Sequence, residues 1–493
     1  MADGVALALL ALAVRLPVIF LPNYSADEAF SFYMSRLNIP DLLQGLISDR
    51  HPPLDYFLLH LIHADAEWAM RLPSVLFDVI STLMVWRITL KLGGSRRAGW
   101  LAGAGYALLY STWALDTQAR MFPLAQCLQL VGTDTLIDIL VLNQRTVGRY
   151  ALYVVSMVAA VGTLYFSALI AIGQGFAAIL LDRRKTGAWW AAILIGILSL
   201  PMARFMLLQM RAGNKEEFAA VGFWLHVCNV YPYITGLTEF LEAATRIDLA
   251  DLLAQTPLLL FSATITLALA FWQGSTLYRM KPPARVILGA IFLTYCGILL
   301  TADLATHGFN LRDRYYFPMQ PYMAVLAGVA LGRDTRGAIV AGLVGLANVI
   351  ILIAVLNIPF LWLFDFKTVT AAIQARPGDM VLLDMPSNYY CLFEYYDARQ
   401  ASPLVRYQGD IYLAEPTPNQ YFFRTPEALA GDLPKLVKHP HVWFVTNRLG
   451  GATEDVRRLL AEHFVARPVL DDRHSYGLLG IDHTWVFDMV PRP

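Results

Sequence analysis

The sequence is poor in charge. Asp, Glu, Lys and Arg make up 15% of its 493 residues, against roughly 25% in an ordinary soluble globular protein. Apolar residues reach 57% where about 45–50% is usual, and the mean hydropathy is +0.49. Lipid is therefore expected to be the main solvent. An excess of either sign is lacking too. The 38 basic and 38 acidic residues balance, so no net field favours nucleic acid and no nucleic-acid partner is expected. Cysteine is scarce: Cys127, Cys228, Cys296 and Cys391 lie far apart, which argues against a disulfide framework and against a CxxC metal site. There is no internal repeat and no low-complexity tract. The opening MADGVALALLALAVRLPVIFLP has no basic n-region and no A-x-A-like cleavage site, so it reads as a retained first helix rather than a signal peptide.

Long apolar runs are what the chain has in quantity. Crossing a bilayer takes about 17–25 residues, since a helix rises about 1.5 Å per residue through about 30 Å. The stretches 4–21, 70–90, 98–114, 122–142, 150–165, 166–181, 188–208, 252–272, 285–303, 316–332 and 337–358 qualify. The pair 150–165 and 166–181 is the least distinct, because each is short and no polar loop divides them. Basic residues orient the set. Arg87, Lys91, Arg96 and Arg97 follow the second span, and Arg145 and Arg149 the fourth. Arg183, Arg184 and Lys185 follow the sixth, Arg279, Lys281 and Arg285 the eighth, and Arg333 and Arg336 the tenth. With eleven spans every cluster falls on one side, which the positive-inside rule makes cytoplasmic. A count different by one would scatter them over both faces.

The other face then receives 22–69, 115–121, 209–251, 304–315 and all that follows 359. The aromatic run FLWLFDF (360–366) reads as an interfacial anchor. Beyond it the composition changes. PGDMVLLD (377–384), HVWFVTN (441–447) and YGLLGID (476–482) read as short strands, and EDVRRLLAEHF (454–464) has helical spacing. The expected architecture is a mostly α, polytopic membrane protein of about eleven transmembrane helices over 1–359. Its outer loop 22–69 carries active-site residues, and a small soluble α/β domain over 360–493 faces outside.

Polar residues cluster at four places on that outer face. Asp27 and Glu28 stand together in NYSADEAFSFY. A carboxylate there can act as a general base toward a hydroxyl or hold a divalent cation; alternatively the pair is an N-terminal helix charge. In SDRHPPLDYFLLH, Asp49, Arg50 and His51 precede two prolines that can start a helix. His51 suits a phosphate or a sugar hydroxyl, although a lone histidine is more often a packing or capping residue. Asp55 interrupts an otherwise apolar face and points to a wet cavity or a helix end. Asp116, Gln118 and Arg120 in YSTWALDTQARMFP sit between two membrane helices, where ionisable groups are costly unless they face a cavity. HGFNLRDRYYFPMQP places His307, Arg312, Arg314 and Tyr315 before the tenth span. Arginine suits bidentate phosphate binding, and its plainer reading is an interfacial snorkelling pair. None of the four is strong alone. Together they describe a site for an anionic, membrane-bound ligand, with cations for a leaving phosphate and a carboxylate to deprotonate a hydroxyl.

The four motifs occur in an order that resembles the GT-C superfamily of membrane glycosyltransferases. They are DEA after the first span, HPPLxYxLLH before the second, QARMF after the third and RxRYYFPMQP near the tenth. The similarity is to the bacterial protein-mannosyltransferase-like group, kin to the lipid A aminoarabinose transferases, and covers nearly the whole chain. It implies transfer of one sugar from a polyprenyl-phosphate donor to an acceptor on the non-cytoplasmic face of a bacterial inner membrane. By that resemblance Asp27 is the catalytic aspartate, with Glu28 beside it. Arg120, Arg312 and Arg314 serve the donor phosphate, and Asp49, His51, Asp55, Asp116, Gln118, His307 and Tyr315 line the pocket. There are departures. Relatives often have QEAR where this chain has Thr117, Gln118, Ala119 and Arg120, and Asp116 is the nearest carboxylate that could substitute. A tyrosine often stands where this chain has Asp55, and the Thr-His pair of some members is replaced by LYFSAL near the fifth span.

The implied reaction is a single displacement that inverts the anomeric centre. Phosphate leaves readily, so no cofactor is expected and a divalent cation is not obligatory. The implied partners are a polyprenyl-phosphate-linked sugar, a glycan, lipid or protein acceptor, and membrane lipid. The alternative within the enzymes is a lipid-linked oligosaccharide ligase or oligosaccharyltransferase. A transporter of lipid-linked sugars ranks lower, since inverted repeats and midplane polar residues are missing. A membrane-anchored binding module ranks last, since so many spans exceed what an anchor needs.

Overall fold

The computed structural model describes residues 2–20, 24–47, 49, 51–182, 187–212, 264, 271–305, 315–357, 366–373, 379–384, 391–392, 395–396, 420–422, 426–447, 453–475 and 481–492. The chain forms two compact units. One comprises Met1–Leu21, Arg50–Arg211 and Lys215–Asn357; the other comprises Pro22–Asp49, Ala212–Asn214 and Ile358–Pro493.

In chain order the helices begin with α1 (Ala2–Ile19), α2 (Ala26–Arg36), α3 (Ile39–Ile47) and α4 (Leu54–Ile62). Then come α5 (Glu67–Lys91), α6 (Arg96–Leu108), α7 (Tyr110–Asp116), α8 (Phe122–Leu140), α9 (Val147–Thr163) and α10 (Ser167–Leu181). Helices α11 (Gly187–Leu198), α12 (Leu200–Ala212), α13 (Pro282–Ala305), α14 (Gln320–Leu331) and α15 (Thr335–Asn357) follow. Among the described residues, Ala2–Ile19, Glu67–Lys91, Gly187–Arg211 and Pro282–Ala302 are long and apolar enough to cross a membrane. Val147–Thr163, Ser167–Leu181, Phe317–Leu331 and Thr335–Ile350 are shorter apolar helices. The expected span 252–272 lies almost wholly outside the described residues.

Two expected boundaries resolve in physical terms. The stretch 98–114 is two helices, because Leu109 is extended (φ −61°, ψ 127°) and the Tyr110 N–H donates to Asn348 Oδ1 of α15 at 2.8 Å. The side chain of α15 thus supplies the acceptor that a helix start lacks. The ambiguous pair separates at Leu164, also extended (φ −149°, ψ 119°), so α9 ends at Thr163 and α10 starts at Ser167.

Small residues let the helices approach. A Cβ placed on Gly328 of α14 would stand 2.5 Å from the Ala102 Cβ and 2.6 Å from the Ala98 carbonyl oxygen of α6, and one on Gly332 would stand 2.7 Å from the Ala98 Cα. Glycines and alanines four apart on facing helices are the close-approach pattern of membrane bundles. At α10 and α13 the contact is Gly173, whose Cβ would meet the Ile291 Cα at 2.7 Å.

Five basic residues at helix ends are paired. Lys91 bridges Asp134 (2.8 Å) and Asp138 (2.6 Å), Arg87 meets Asp134 at 3.1 Å, and Arg149 meets Asp138 at 2.8 Å. Arg145 holds Asp182 at 2.8 Å and Arg96 holds Asp3 at 2.6 Å. These pairs join the start of α1 to that of α6, and the end of α5 to the end of α8 and the start of α9. Those are the ends that an alternating up-and-down order brings together.

The second unit holds α2, α3, α16 (Phe366–Ala372), α17 (Pro426–Leu436) and α18 (Thr453–His463) with five strands. The strands are β1 (Met380–Asp384), β2 (Gln420–Phe422), β3 (Val442–Asn447), β4 (Phe464–Ser475) and β5 (Ile481–Pro491), in sheet order β2-β1-β3-β5-β4. The first three are parallel and the β4–β5 ladder is antiparallel. Leu382, Leu429, Leu433, Phe444, Val456 and Leu460 form its core. β1, β3 and α18 lie where the pattern puts them. Of the strand expected at 476–482, residues 476–480 lie outside the described residues and β5 starts at Ile481. β4 was not anticipated: its run FVARPVLDDRHS carries Pro468 at a register shift and charges at an edge, devices that mark an edge strand and hide its alternation. Of the aromatic run 360–366, only Phe366 is described, as the first residue of α16.

Candidate active site

The first carboxylates belong to the second unit. Ser25 is the N-cap of α2 in extended conformation (φ −71°, ψ 161°). Its hydroxyl accepts from the Glu28 N–H at 3.2 Å, and the Glu28 carboxylate accepts from the Ser25 N–H at 2.9 Å. This reciprocal arrangement is a capping box. Glu28 is buried and its carboxylate is turned back onto the cap, whereas Asp27, one residue earlier on the first turn, is half-buried. The two neighbours therefore differ in environment: one closes the helix end, and the other stands where the helix N-terminus favours its negative charge.

The chain before and after this turn is gripped by residues from far along the sequence. The Tyr24 N–H donates to the Tyr396 hydroxyl at 2.6 Å. The Tyr395 ring lies 5.0 Å from Tyr24 and 5.0 Å from Phe32, edge-on to the latter. Asp49, also of this unit, is buried, and its N–H donates to the Leu46 carbonyl at 3.1 Å.

The remaining described candidates belong to the first unit. Asp55, in the first turn of α4, is 5% exposed, and Arg120, just before α8, is 4% exposed. Burial pushes the Asp55 carboxyl up to about 7, while the Arg120 guanidinium nearby pulls it the other way. A carboxyl of that kind changes charge near neutral pH beside a buried cation. Gln118 is half-buried, and its carbonyl accepts the Arg120 N–H at 2.8 Å. His51 is positioned through its backbone: its carbonyl accepts from Gln209 Nε2 of α12 at 3.0 Å, and Gln209 Oε1 accepts from the Tyr165 hydroxyl at 2.8 Å. The Tyr315 ring packs 4.9 Å from Phe166, and its carbonyl accepts from the Tyr295 hydroxyl at 2.5 Å. His307, Arg312 and Arg314 lie outside the described residues.

Asp116 belongs to a buried polar network that the motifs did not reveal. Arg15 of α1 and Asp78 of α5 form an ion pair with both side chains 0% exposed. Arg15 also donates to the Ala107 carbonyl at 2.7 Å. The Tyr106 hydroxyl bonds Gln126 at 2.5 Å and Asp116 at 3.4 Å, and Gln126 donates to the Phe317 carbonyl at 2.8 Å. The network ties α1, α5, α6, α7 and α8 to Phe317. The signal for it was available: Arg15 in ALAVRLPV and Asp78 in VLFDVI are ionisable residues inside apolar runs, which rarely occur unpaired in a bundle.

The chain is similar in structure to ArnT from Cupriavidus metallidurans bound to undecaprenyl phosphate, with a TM-score of 0.54 and 12% identity over 98% of this chain and 97% of that chain. The apo state of the same ArnT gives a TM-score of 0.59 at 12% identity and the same coverage. Archaeal oligosaccharyltransferase AglB from Archaeoglobus fulgidus, in complex with an inhibitory peptide and a dolichol-phosphate, gives 0.50 at 10% identity over 94% of this chain and 72% of that chain. No family model and no curated protein matches the sequence. At these identities the likeness is one of fold, and it agrees with the GT-C resemblance carried by the motifs.

Proposed function

We propose, taking the GT-C-type fold as premise, that this protein is a polyprenyl-phosphate-sugar-dependent glycosyltransferase. The observation that carries the reading is Arg120: a guanidinium buried beside Asp55 at the start of α8, in a fold shared with a protein crystallised with undecaprenyl phosphate. A planar guanidinium presents paired N–H donors that match the oxygens of a phosphate.

In the proposed reaction the acceptor hydroxyl oxygen attacks the anomeric carbon of the donor. The new glycosidic C–O bond forms as the C–O bond to phosphate breaks, inverting the centre. The hydroxyl proton passes to the Asp27 carboxylate, and polyprenyl phosphate leaves with the bonding electron pair. Glu28 holds the helix end that presents Asp27. Arg120, Arg312 and Arg314 neutralise the departing phosphate, and His51, Asp49, Asp55, Asp116, Gln118, His307 and Tyr315 line the pocket. No metal is required by this scheme.

The finer architecture is part of the same proposal. About eleven spans cross a bacterial inner membrane, and the site and the α/β domain over 360–493 face the exterior. The similarity to AglB favours one second reading, transfer of a whole lipid-linked oligosaccharide.

The test is thermal shift in detergent with plain polyprenyl phosphate, a panel of polyprenyl-phosphate sugars and pyrophosphate-linked oligosaccharides, followed by turnover of Asp27→Asn. Stabilisation by the monophosphates and loss of turnover in an Asp27→Asn protein that still binds donor support the reading. A response to the pyrophosphate-linked oligosaccharides alone favours the second reading, and a fully active Asp27→Asn removes Asp27 as the base.

A further inference from the structure

We propose that Tyr395 and Tyr396 are positioning residues for Asp27: the C-terminal part of the second unit sets the orientation of the helix that carries the base. The inference rests on the reading of Asp27 as that base.

Helix α2 has 11 residues, fewer than the roughly 12–15 below which isolated helices are marginal in water. Its direction must therefore come from tertiary contacts. Two of them bracket Asp27. At the entry, the Tyr396 hydroxyl accepts the N–H of Tyr24, the residue directly before the N-cap, across a sequence separation of 372. Along the helix, the Tyr395 ring touches both Tyr24 and Phe32 at 5.0 Å. Tyr24 lies before the extended N-cap Ser25 and Phe32 lies in the second turn of the helix, so the ring spans the junction that carries Asp27. A single ring thus holds both ends of the stretch in which Asp27 sits.

Neighbouring contacts lock the grip. Tyr395 and Tyr396 pack edge to face at 4.8 Å, the Lys367 ammonium lies 5.2 Å from the Tyr396 ring, and the Arg36 guanidinium lies 4.7 Å from the Phe32 ring. Cations over aromatic faces stabilise such arrangements. The capping box then transmits the fixed entry to the first turn, so Asp27 inherits the position of Tyr24. General-base catalysis depends steeply on that position, since displacement by about 1 Å can cost about a hundredfold in rate.

The experiment compares Tyr396→Phe, Tyr395→Ala and Tyr395→Phe, each alone and combined with Asp27→Asn, by turnover, KM for the donor and melting in detergent. Tyr396→Phe removes one acceptor and keeps the ring. Expected are a fall in kcat of about tenfold or more with KM for the donor within about twofold, a larger fall for Tyr395→Ala, and rescue by Tyr395→Phe. On the Asp27→Asn background neither substitution slows the residual turnover further, because the group being positioned is gone. Wild-type turnover in both Tyr396→Phe and Tyr395→Ala overturns the inference while leaving the base intact. So does an equal loss on both backgrounds, which would mean the tyrosines act elsewhere. If Tyr395→Ala does not fold, Tyr396→Phe decides the matter by itself. Wild-type turnover of Asp27→Asn alone instead removes the base, and the inference with it.

Discussion

Replacing Asp55 by asparagine changes a titrating group into a non-titrating one of the same shape, and its effect is calculable. In the unfolded chain the carboxyl ionises at its ordinary 3.8; in the folded protein burial moves it to about 7. Between those values the folded state binds more protons than the unfolded state, so stability from this group is complete below about pH 4 and lost as pH rises through 7. The difference of about 3 units corresponds to about 4 kcal/mol at about 1.4 kcal/mol per unit. It applies without a large solvent discount because Asp55 is 5% exposed. Melting curves of wild type and Asp55→Asn in detergent at pH 5, 6, 7 and 8 provide the assay. The variant is expected to gain on wild type steadily from pH 5 to 7 and to hold a constant advantage above about 8. Other carboxylates titrate equally in both proteins and cancel. Parallel curves across the whole range would refute the reasoning, since they would mean that Asp55 ionises like an exposed aspartate.

Arg120→Ala is expected to move the Asp55 midpoint above 7 by removing the cation that opposes it, and to weaken polyprenyl-phosphate binding by about tenfold or more; unchanged thermal shift with the lipid would remove Arg120 from the phosphate site. Arg15→Met leaves Asp78 buried without its partner and should destabilise by about 3–5 kcal/mol, read as a lowered melting temperature, while adding Asp78→Leu should recover most of the loss. Gly328→Ile drives a side chain into the Ala98 and Ala102 backbone of α6 and should cost about 1–3 kcal/mol; Gly342→Ile, where a Cβ meets open space, should melt like wild type.

Much of the helical framework was legible because hydropathy acts over long windows. Runs such as 70–90, 122–142 and 285–303 need no partner to declare themselves, and α5, α8 and α13 lie on them. Breaks were harder to read. Leu109 looks like any leucine in an apolar run, and only Asn348, some 240 residues later, explains why the helix restarts at Tyr110. The GxxxG spacing of Gly328 and Gly332 was readable but acquires meaning only with Ala98 and Ala102 opposite. At the candidate site, the motifs named Asp55 and Arg120 separately, and three dimensions made them neighbours. The resemblance put Glu28 beside the catalytic Asp27 without a role of its own, and the capping box supplies one. Arg15 and Asp78 were visible as charges in apolar helices, yet their pairing required the fold.

By itself the sequence determined the solvent, the helix-dominated class, the positions of most long helices and the order of the polar motifs. These follow from local composition, which is a property of each segment alone. Only the tertiary structure decided that residues 22–49 belong with 358–493 rather than with the helices that flank them. It also decided that Tyr395 and Tyr396 hold the turn before Asp27, and that Arg15, Asp78, Tyr106 and Asp116 share one buried network. The physical reason is separation: those contacts join residues tens to hundreds of positions apart, where no periodicity or spacing carries a signal. Each polar group had to find its partner because an unpaired one in an apolar interior costs too much to keep.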